Sequence, residues 1–251
     1  MRMIRTHVDQ PLSVGARIAL PEQATAHLVR VLRLREGDAC VLFNGDGNDY
    51  DARVLTAGKR DAAVEITAVR SVDNESPLRI VLLQGIARGE KMDLILQKAT
   101  ELGVSRIVPV DAERTEVRLD GERLRKRIAH WQGVVVSACE QSGRARIPEL
   151  TGPVAINAIA PVISETTVRL TLDPGGTQSL RALAISPPAT VAIAVGPEGG
   201  WSPRDRDALR AAGFDGLVLG PRILRTETAG LAAIAALQAI HGDLAGQGNS
   251  G

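Results

Sequence analysis

The sequence predicts two parts, a small β-barrel over residues 1–72 and a parallel α/β domain over residues 78–243. Three observations predict this. Residues 1–70 read as short strands and tight turns around one helix. Ser71-Val72-Asp73-Asn74-Glu75-Ser76-Pro77 is polar and ends in proline, so residues 73–77 read as a linker. From Leu78 the pattern becomes strand, helix, strand, and the later strands are apolar without alternation, as in a sheet covered on both faces.

In the first part, residues 14–20 alternate loosely and stop at Pro21. Residues 22–32 then read as a helix with Leu28, Val29 and Leu32 on one side. Ala39-Cys40-Val41-Leu42-Phe43 leads into the turn Asn44-Gly45-Asp46-Gly47-Asn48. Two more strands, 49–55 and 62–69, are joined at Gly58-Lys59-Arg60.

In the second part, residues 78–84 form a strand and residues 89–103 a helix with Met92, Ile95, Leu96, Ala99 and Leu102 at helical spacing. Residues 106–110 make the next strand. A longer helix over 122–142 carries Leu124, Ile128, Trp131, Val135, Ala138 and Ser142 on one stripe, with Arg123, Lys126, Arg127 and His130 off it. One device then repeats. The strands 168–172, 190–195 and 217–219 are each followed by a loop rich in Gly and Pro that carries a carboxylate or arginine. Ligands of open α/β sheets bind beyond the carboxyl ends of the strands, so these loops are expected to meet over one crevice. Ser202-Pro203-Arg204-Asp205 starts a helix with Ser as N-cap and Pro in first position. Residues 244–251 are expected to form a flexible tail.

Composition narrows the class. At 251 residues the chain can bury a sizeable core, and 44% apolar with 24% charged residues is ordinary for a soluble protein. Cys40 and Cys139 are far apart, which predicts neither disulfide nor zinc site and fits the cytoplasm. No apolar run reaches the roughly 18 to 20 residues of a membrane span, and residues 1–7 show no signal-peptide pattern. Net charge is +1, but residues 76–150 hold 13 basic against 10 acidic side chains, densest at Arg123, Arg125, Lys126 and Arg127. Such a run is either a solvated helix face or a phosphate-contacting surface. Aromatic content of 2% leaves little for base stacking, so any RNA recognition should rest on phosphates, hydrogen bonds and shape.

The loops carry the chemistry. Gly196-Pro197-Glu198-Gly199-Gly200 lacks the Lys-Ser/Thr pair of a P-loop, and no G-x-G-x-x-G occurs. In Gly220-Pro221-Arg222-Ile223-Leu224-Arg225-Thr226-Glu227-Thr228-Ala229-Gly230, arginines, a carboxylate and hydroxyls sit between a buried-type strand and a buried-type helix. Groups so placed need partners, and a ligand is one such partner.

Gly196-Pro197-Glu198-Gly199-Gly200-Trp201 and Leu219-Gly220-Pro221-Arg222-Ile223-Leu224-Arg225-Thr226-Glu227-Thr228-Ala229 resemble the signature loops of the RsmE family, SPOUT-class methyltransferases that act on N3 of a uridine in small-subunit (16S) ribosomal RNA. Arg88-Gly89-Glu90-Lys91-Met92, Gln97-Lys98, Glu101-Leu102-Gly103-Val104 and Ala138-Cys139-Glu140-Gln141-Ser142-Gly143-Arg144 extend the resemblance. It runs from His27 and Arg30-Val31-Leu32-Arg33 to Gly242-Asp243 and is weak only over 151–166.

The resemblance implies a PUA-like RNA-binding barrel, a SPOUT domain with a C-terminal trefoil knot, a homodimer, and S-adenosylmethionine as cofactor. It places the cofactor among Leu172, then Gly196, Pro197, Glu198, Gly199 and Gly200, then Leu219, Gly220, Pro221, Ile223, Leu224, Arg225, Thr226, Thr228 and Ala229. Arg225 is the candidate for stabilising negative charge on the reacting base, and Glu227 and Glu198 are candidate proton acceptors, unless they only bond loop amides. His27, Arg30, Arg33, Arg88, Lys91 and Arg144 are candidate RNA contacts, with a solvated surface as the alternative. Methylation of another RNA position and a non-catalytic ribosomal RNA-binding protein are the rival readings.

Overall fold

The computed structural model describes residues 4–58, 61–117 and 120–246, and the chain divides into two compact units, Met1–Glu75 with Val136–Ile147, and Ser76–Val135 with Pro148–Gly251. Part of the turn expected at Gly58-Lys59-Arg60 and the tail beyond residue 246 lie outside the described residues.

The first unit is built on a five-stranded mixed sheet of β1 (Arg5–His7), β2 (Arg17–Ala19), β3 (Ala39–Phe43), β4 (Asn48–Ala57) and β5 (Ala62–Ser71), in the order β1-β3-β4-β5-β2. β1 lies parallel to β3, and the other pairs are antiparallel. Val8, Leu28, Leu42, Val54, Val64 and Ile66 are among the residues of its core. β1 carries no strand signal in the sequence, because Arg5-Thr6-His7 has no apolar alternation. Its pairing is instead fixed by polar contacts: Arg5 forms an ion pair with Asp49 at 2.6 Å and donates to the Cys139 carbonyl at 2.9 Å. The helix expected over 22–32 has one regular turn, α1 (Glu22–Thr25), and then winds as a π-helix over Ala26–Val31. Leu34 N–H returns to the Leu28 carbonyl at 3.0 Å, so the chain must turn sharply to bury both leucines. Arg33, at φ 59°, makes that turn.

The second unit is an eight-stranded sheet with every recorded pairing parallel. Its strands are β6 (Leu78–Gly85), β7 (Val104–Asp111), β8 (Glu149–Leu150), β9 (Val154–Ala155), β10 (Val168–Leu172), β11 (Gln178–Ser179), β12 (Ala189–Val195) and β13 (Asp215–Val218). The order is β11-β13-β10-β12-β6-β7-β8, with β9 also on β7. β6 and β12 are buried on both faces, which explains their unbroken apolar sequence. Helices α2 (Glu90–Glu101), α4 (Pro203–Ala211) and α5 (Thr226–His241) belong to this unit, and α3 (Gly121–Ser142) runs through residues of both. Among the described residues no helix is long and apolar enough to cross a membrane.

Because β13, β10, β12 and β6 are parallel neighbours, their C-terminal ends lie along one edge of the sheet. The loops at 219–225, 173–177, 196–202 and 86–89 therefore emerge side by side. α4 is anchored as its sequence predicts: Ser202 Oγ accepts from Asp205 N–H at 3.1 Å, and the Asp205 carboxylate accepts from Ser202 N–H at 2.9 Å. Replacing Ser202 with alanine should lower stability by about 1 kcal/mol in urea unfolding, the usual cost of a lost cap.

Candidate active site

A cleft of about 350 Å³ opens at this edge of the sheet, lined by Leu172, Asp173 and Pro174 after β10, by residues 217–224, and by Ala229 of α5. Its size lies within the range of small-molecule sites. The wall is unusual in its backbone. Among the described residues, Leu219, Gly220, Pro221, Arg222, Ile223 and Leu224 make no backbone–backbone hydrogen bond, although all six line the cleft. Residues 220–223 are exposed, so the main-chain donors and acceptors of this segment are open to a ligand in the cleft. Gly220 stands at φ 91°, which lets the chain turn along the cleft where a side-chain-bearing residue would be strained. Ile223 is 85% exposed, a large apolar side chain at a cleft lip with nothing to cover it among the described residues. This combination suits a ligand with a flat polar ring, read by main chain and covered by aliphatic groups, as the adenosine part of S-adenosylmethionine would be.

The residues expected to hold a cofactor divide into two sets. Leu172, Leu219, Gly220, Pro221, Ile223, Leu224 and Ala229 line the cleft. Gly196, Pro197, Glu198, Gly199, Gly200, Arg225, Thr226 and Thr228 are not part of its wall. The 196–200 loop is instead joined to it by one bond, from the Thr226 hydroxyl to the Gly196 carbonyl at 2.6 Å. On the other side the loop is packed against β6. A Cβ at Gly85 would lie 2.5 Å from Pro197 N, so only glycine admits this approach.

The start of α5 explains the direction of its polar groups. Arg225 is the N-cap residue, and its carbonyl accepts from Thr228 and Ala229 N–H. Residues four apart share a helix face, so Arg225 lies on the side of Ala229, which is the cleft side. Thr226 and Gly230 are buried toward β12, where Gly230 meets Val195. The Arg225 side chain is exposed and makes no ion pair or hydrogen bond among the described residues. Glu227 Oε2 is shielded from solvent and likewise has no hydrogen-bond partner there.

Glu198 is held differently. Its Oε1 accepts from Arg88 N–H at 3.1 Å and from Lys91 Nζ at 3.3 Å. Burial alone would push its carboxyl upward. The hydrogen bonds from the Arg88 amide, its own amide and Lys91 outweigh that, leaving the pKa below the usual carboxylate value. A carboxylate so stabilised is a poor proton acceptor; it ties the 196–200 loop to the start of α2. Arg114 Nη1 adds a second tie, to the Gly199 carbonyl at 2.9 Å.

The expected RNA contacts also separate. Arg30, within the π-helix, and Arg33, just after it, are exposed, and His27, also within it, is half-buried. They do not keep α-helical spacing, since the π turn and the left-handed Arg33 intervene. Arg88 pairs with Glu116, and Lys91 with Glu198. Arg144 is not offered to solvent: it is 5% exposed and its guanidinium is engaged by the Glu75 carboxylate through Nε at 3.0 Å and through Nη2 at 2.5 Å. That pair serves the fold of the first unit. Asp173, Pro174 and Arg222, which lie in the strand-end loops but not among the residues expected to hold the cofactor, also line the cleft.

The sign of the Glu198 shift gives a pH prediction. A depressed carboxyl stabilises the fold above its unfolded value, 4.5, and that contribution disappears as the pH falls through the folded value. Glu198→Gln should therefore melt below the parent at pH 7, and the gap should close on acidification below about 4.5. Thermal melts across that range check it.

Comparison with known proteins agrees with this geometry. Residues 74–238 match the family model of an RNA methyltransferase domain, and residues 20–67 that of an RNA methyltransferase PUA domain. The ribosomal RNA small subunit methyltransferase E of Buchnera aphidicola (from Schizaphis graminum) is 33% identical over 97% of this chain and 98% of its own length. The Bacillus subtilis protein of the same name is 27% identical over 91% of this chain and 92% of its own. Among solved structures, the Neisseria gonorrhoeae methyltransferase E bound to S-adenosylmethionine is 43% identical, with TM-score 0.91, 96% of this chain covered and 99% of that one. A Legionella pneumophila methyltransferase with the same cofactor bound is 39% identical, with TM-score 0.93, 97% of this chain covered and 100% of that one. On a family model spanning most of its length and a relative one-third identical from end to end, the chain belongs to the ribosomal RNA small subunit methyltransferase E (RsmE) family, with a SPOUT-class α/β domain and a PUA-like domain before it.

Proposed function

We propose that this protein transfers a methyl group from S-adenosylmethionine to N3 of a uridine in 16S ribosomal RNA. The observation that carries the reading is the cleft at the ends of β10 and β13, whose wall from Leu219 to Leu224 leaves its main chain open to a ligand beside Arg225, which is exposed and makes no ion pair among the described residues. Structural relatives with this fold hold S-adenosylmethionine.

When bound, S-adenosylmethionine supplies a methyl group already activated on a sulfonium. The chain's own residues do the rest. Leu172, the 219–224 main chain and Ala229 bind and orient the cofactor. The uridine imide nitrogen becomes nucleophilic only when its proton leaves. Arg225, N-cap of α5 on the cleft side, stabilises the charge that develops on the base. Glu227, in the first turn of α5 and with one oxygen unpartnered among the described residues, takes the proton. Glu198 keeps its loop in place, already committed to Arg88 and Lys91.

The rest of the reading follows the family. Residues 1–72 act as the RNA-binding part, with Arg30 and Arg33 contacting phosphates, and residues 73–77 link it to the SPOUT domain at 78–243. The strand order, with β13 inserted between β10 and β11, suits a chain threaded into a trefoil knot. The protein works as a homodimer in the cytoplasm, on free 16S RNA or on the small ribosomal subunit.

Two measurements test this. S-adenosylhomocysteine at 100 times its Kd should stabilise the protein by about 2.7 kcal/mol, seen as a raised melting temperature, and the absence of any shift would overturn the cofactor reading. In single-turnover methylation of small ribosomal subunits, Arg225→Ala and Glu227→Gln should each slow transfer by roughly 100-fold at saturating cofactor, with Glu198→Gln much milder. Mapping the methylated nucleotide checks the target atom.

A further inference from the structure

Gln84 is the polar residue of β6 that neither the strand nor the cleft requires. It is fully buried, one position before the strand ends, in a strand whose other buried residues are apolar or glycine. Its Nε2 donates to the Gly85 carbonyl at 2.9 Å and to Thr226 Oγ1 at 3.1 Å. Its Oε1 has no hydrogen-bond partner among the described residues. A leucine or methionine would fill the same space without an unpaired buried carbonyl, so stability alone does not account for a glutamine here.

The bond pattern fixes every proton in the chain. The Gly85 carbonyl can only accept, so the amide group facing it must be Nε2 and not Oε1. The same Nε2 then donates to the Thr226 oxygen, which leaves the Thr226 hydroxyl to donate to the Gly196 carbonyl at 2.6 Å. Gln84 thus sets the direction of the hydroxyl that joins the 196–200 loop to the first residue of α5. Arg225 and Glu227 flank that residue on either side.

We propose that Gln84 is a positioning residue for methyl transfer: by donating to Thr226 it holds the hydroxyl as a donor to Gly196, and so fixes Arg225 and Glu227 relative to the 196–200 loop. The inference rests on the assignment of Arg225 and Glu227 to the reaction made above. Gln84 is buried and does not line the cleft, so its loss should act on the rate of transfer rather than on cofactor affinity or folding.

The test uses the full-length protein. Gln84→Met keeps the volume and removes both donors and the unpaired carbonyl. The melting temperature should stay level or rise, and the Kd for S-adenosylhomocysteine by calorimetry should stay within about threefold, since the cleft wall is untouched. The single-turnover rate at saturating cofactor should fall at least roughly tenfold, as a misplaced catalytic group predicts. Thr226→Val should show the same fall, Thr226→Ser should retain most of the rate, and the Gln84→Met/Thr226→Val pair should be no slower than either alone. A rate unchanged in Thr226→Val, or losses that multiply in the double variant, would overturn the proposal. So would a Gln84→Met protein whose rate falls only as far as its folded fraction. If the parent protein itself transfers no methyl group to ribosomal subunits, the functional reading falls first and this inference with it.

Discussion

The parallel alignment of β13, β10, β12 and β6 is the constraint on which the rest of the second unit depends. Parallel neighbours bring their carboxyl ends to one edge, so segments far apart in sequence emerge as adjacent loops. Burial of β6 and β12 on both faces keeps that alignment, since a slip of register would break a ladder with no solvent to replace its hydrogen bonds. The cleft, the 196–200 loop and the start of α5 are all consequences of where those strands stop.

At that edge, two kinds of polar group are kept apart. One kind is fully committed. Glu198 is bound by Arg88 and Lys91, Thr226 by Gly196 and Gln84, and Asp205 by the cap of α4. These groups give the loops a fixed geometry. The other kind has no partner among the described residues, namely the 219–224 main chain outside strand pairing, the Arg225 guanidinium and one oxygen of Glu227. An open group next to a rigid support is what a site needs in order to bind without first reorganising. Glu198 and Glu227 look equivalent as loop carboxylates, yet among the described residues one is bound by Arg88 and Lys91 and the other keeps an oxygen without a partner.

Much of this was legible along the chain. Strand 168–172, the helix over 122–142 and the Ser202–Asp205 start of α4 each rest on short-range rules of burial and capping, and each stands in the structure within a residue or so. The short β1 escaped because Arg5-Thr6-His7 is held by an ion pair with Asp49 and not by apolar alternation. The π-helix at 26–31 escaped because it follows from burying Leu28 and Leu34 together, a demand set by the sheet beneath them.

For the site, the sequence by itself determined which segments carry the chemistry. Glycines, a carboxylate and arginines placed at the ends of buried strands mark them through local composition alone, and their motifs carry the family. Tertiary structure decided which groups are free to act. Whether Arg144 meets solvent or Glu75, what the Glu198 carboxylate binds, and which way the Thr226 hydroxyl points depend on partners 30 to 142 residues away, where sequence spacing carries no distance information. A side chain's availability is a property of its neighbours in space.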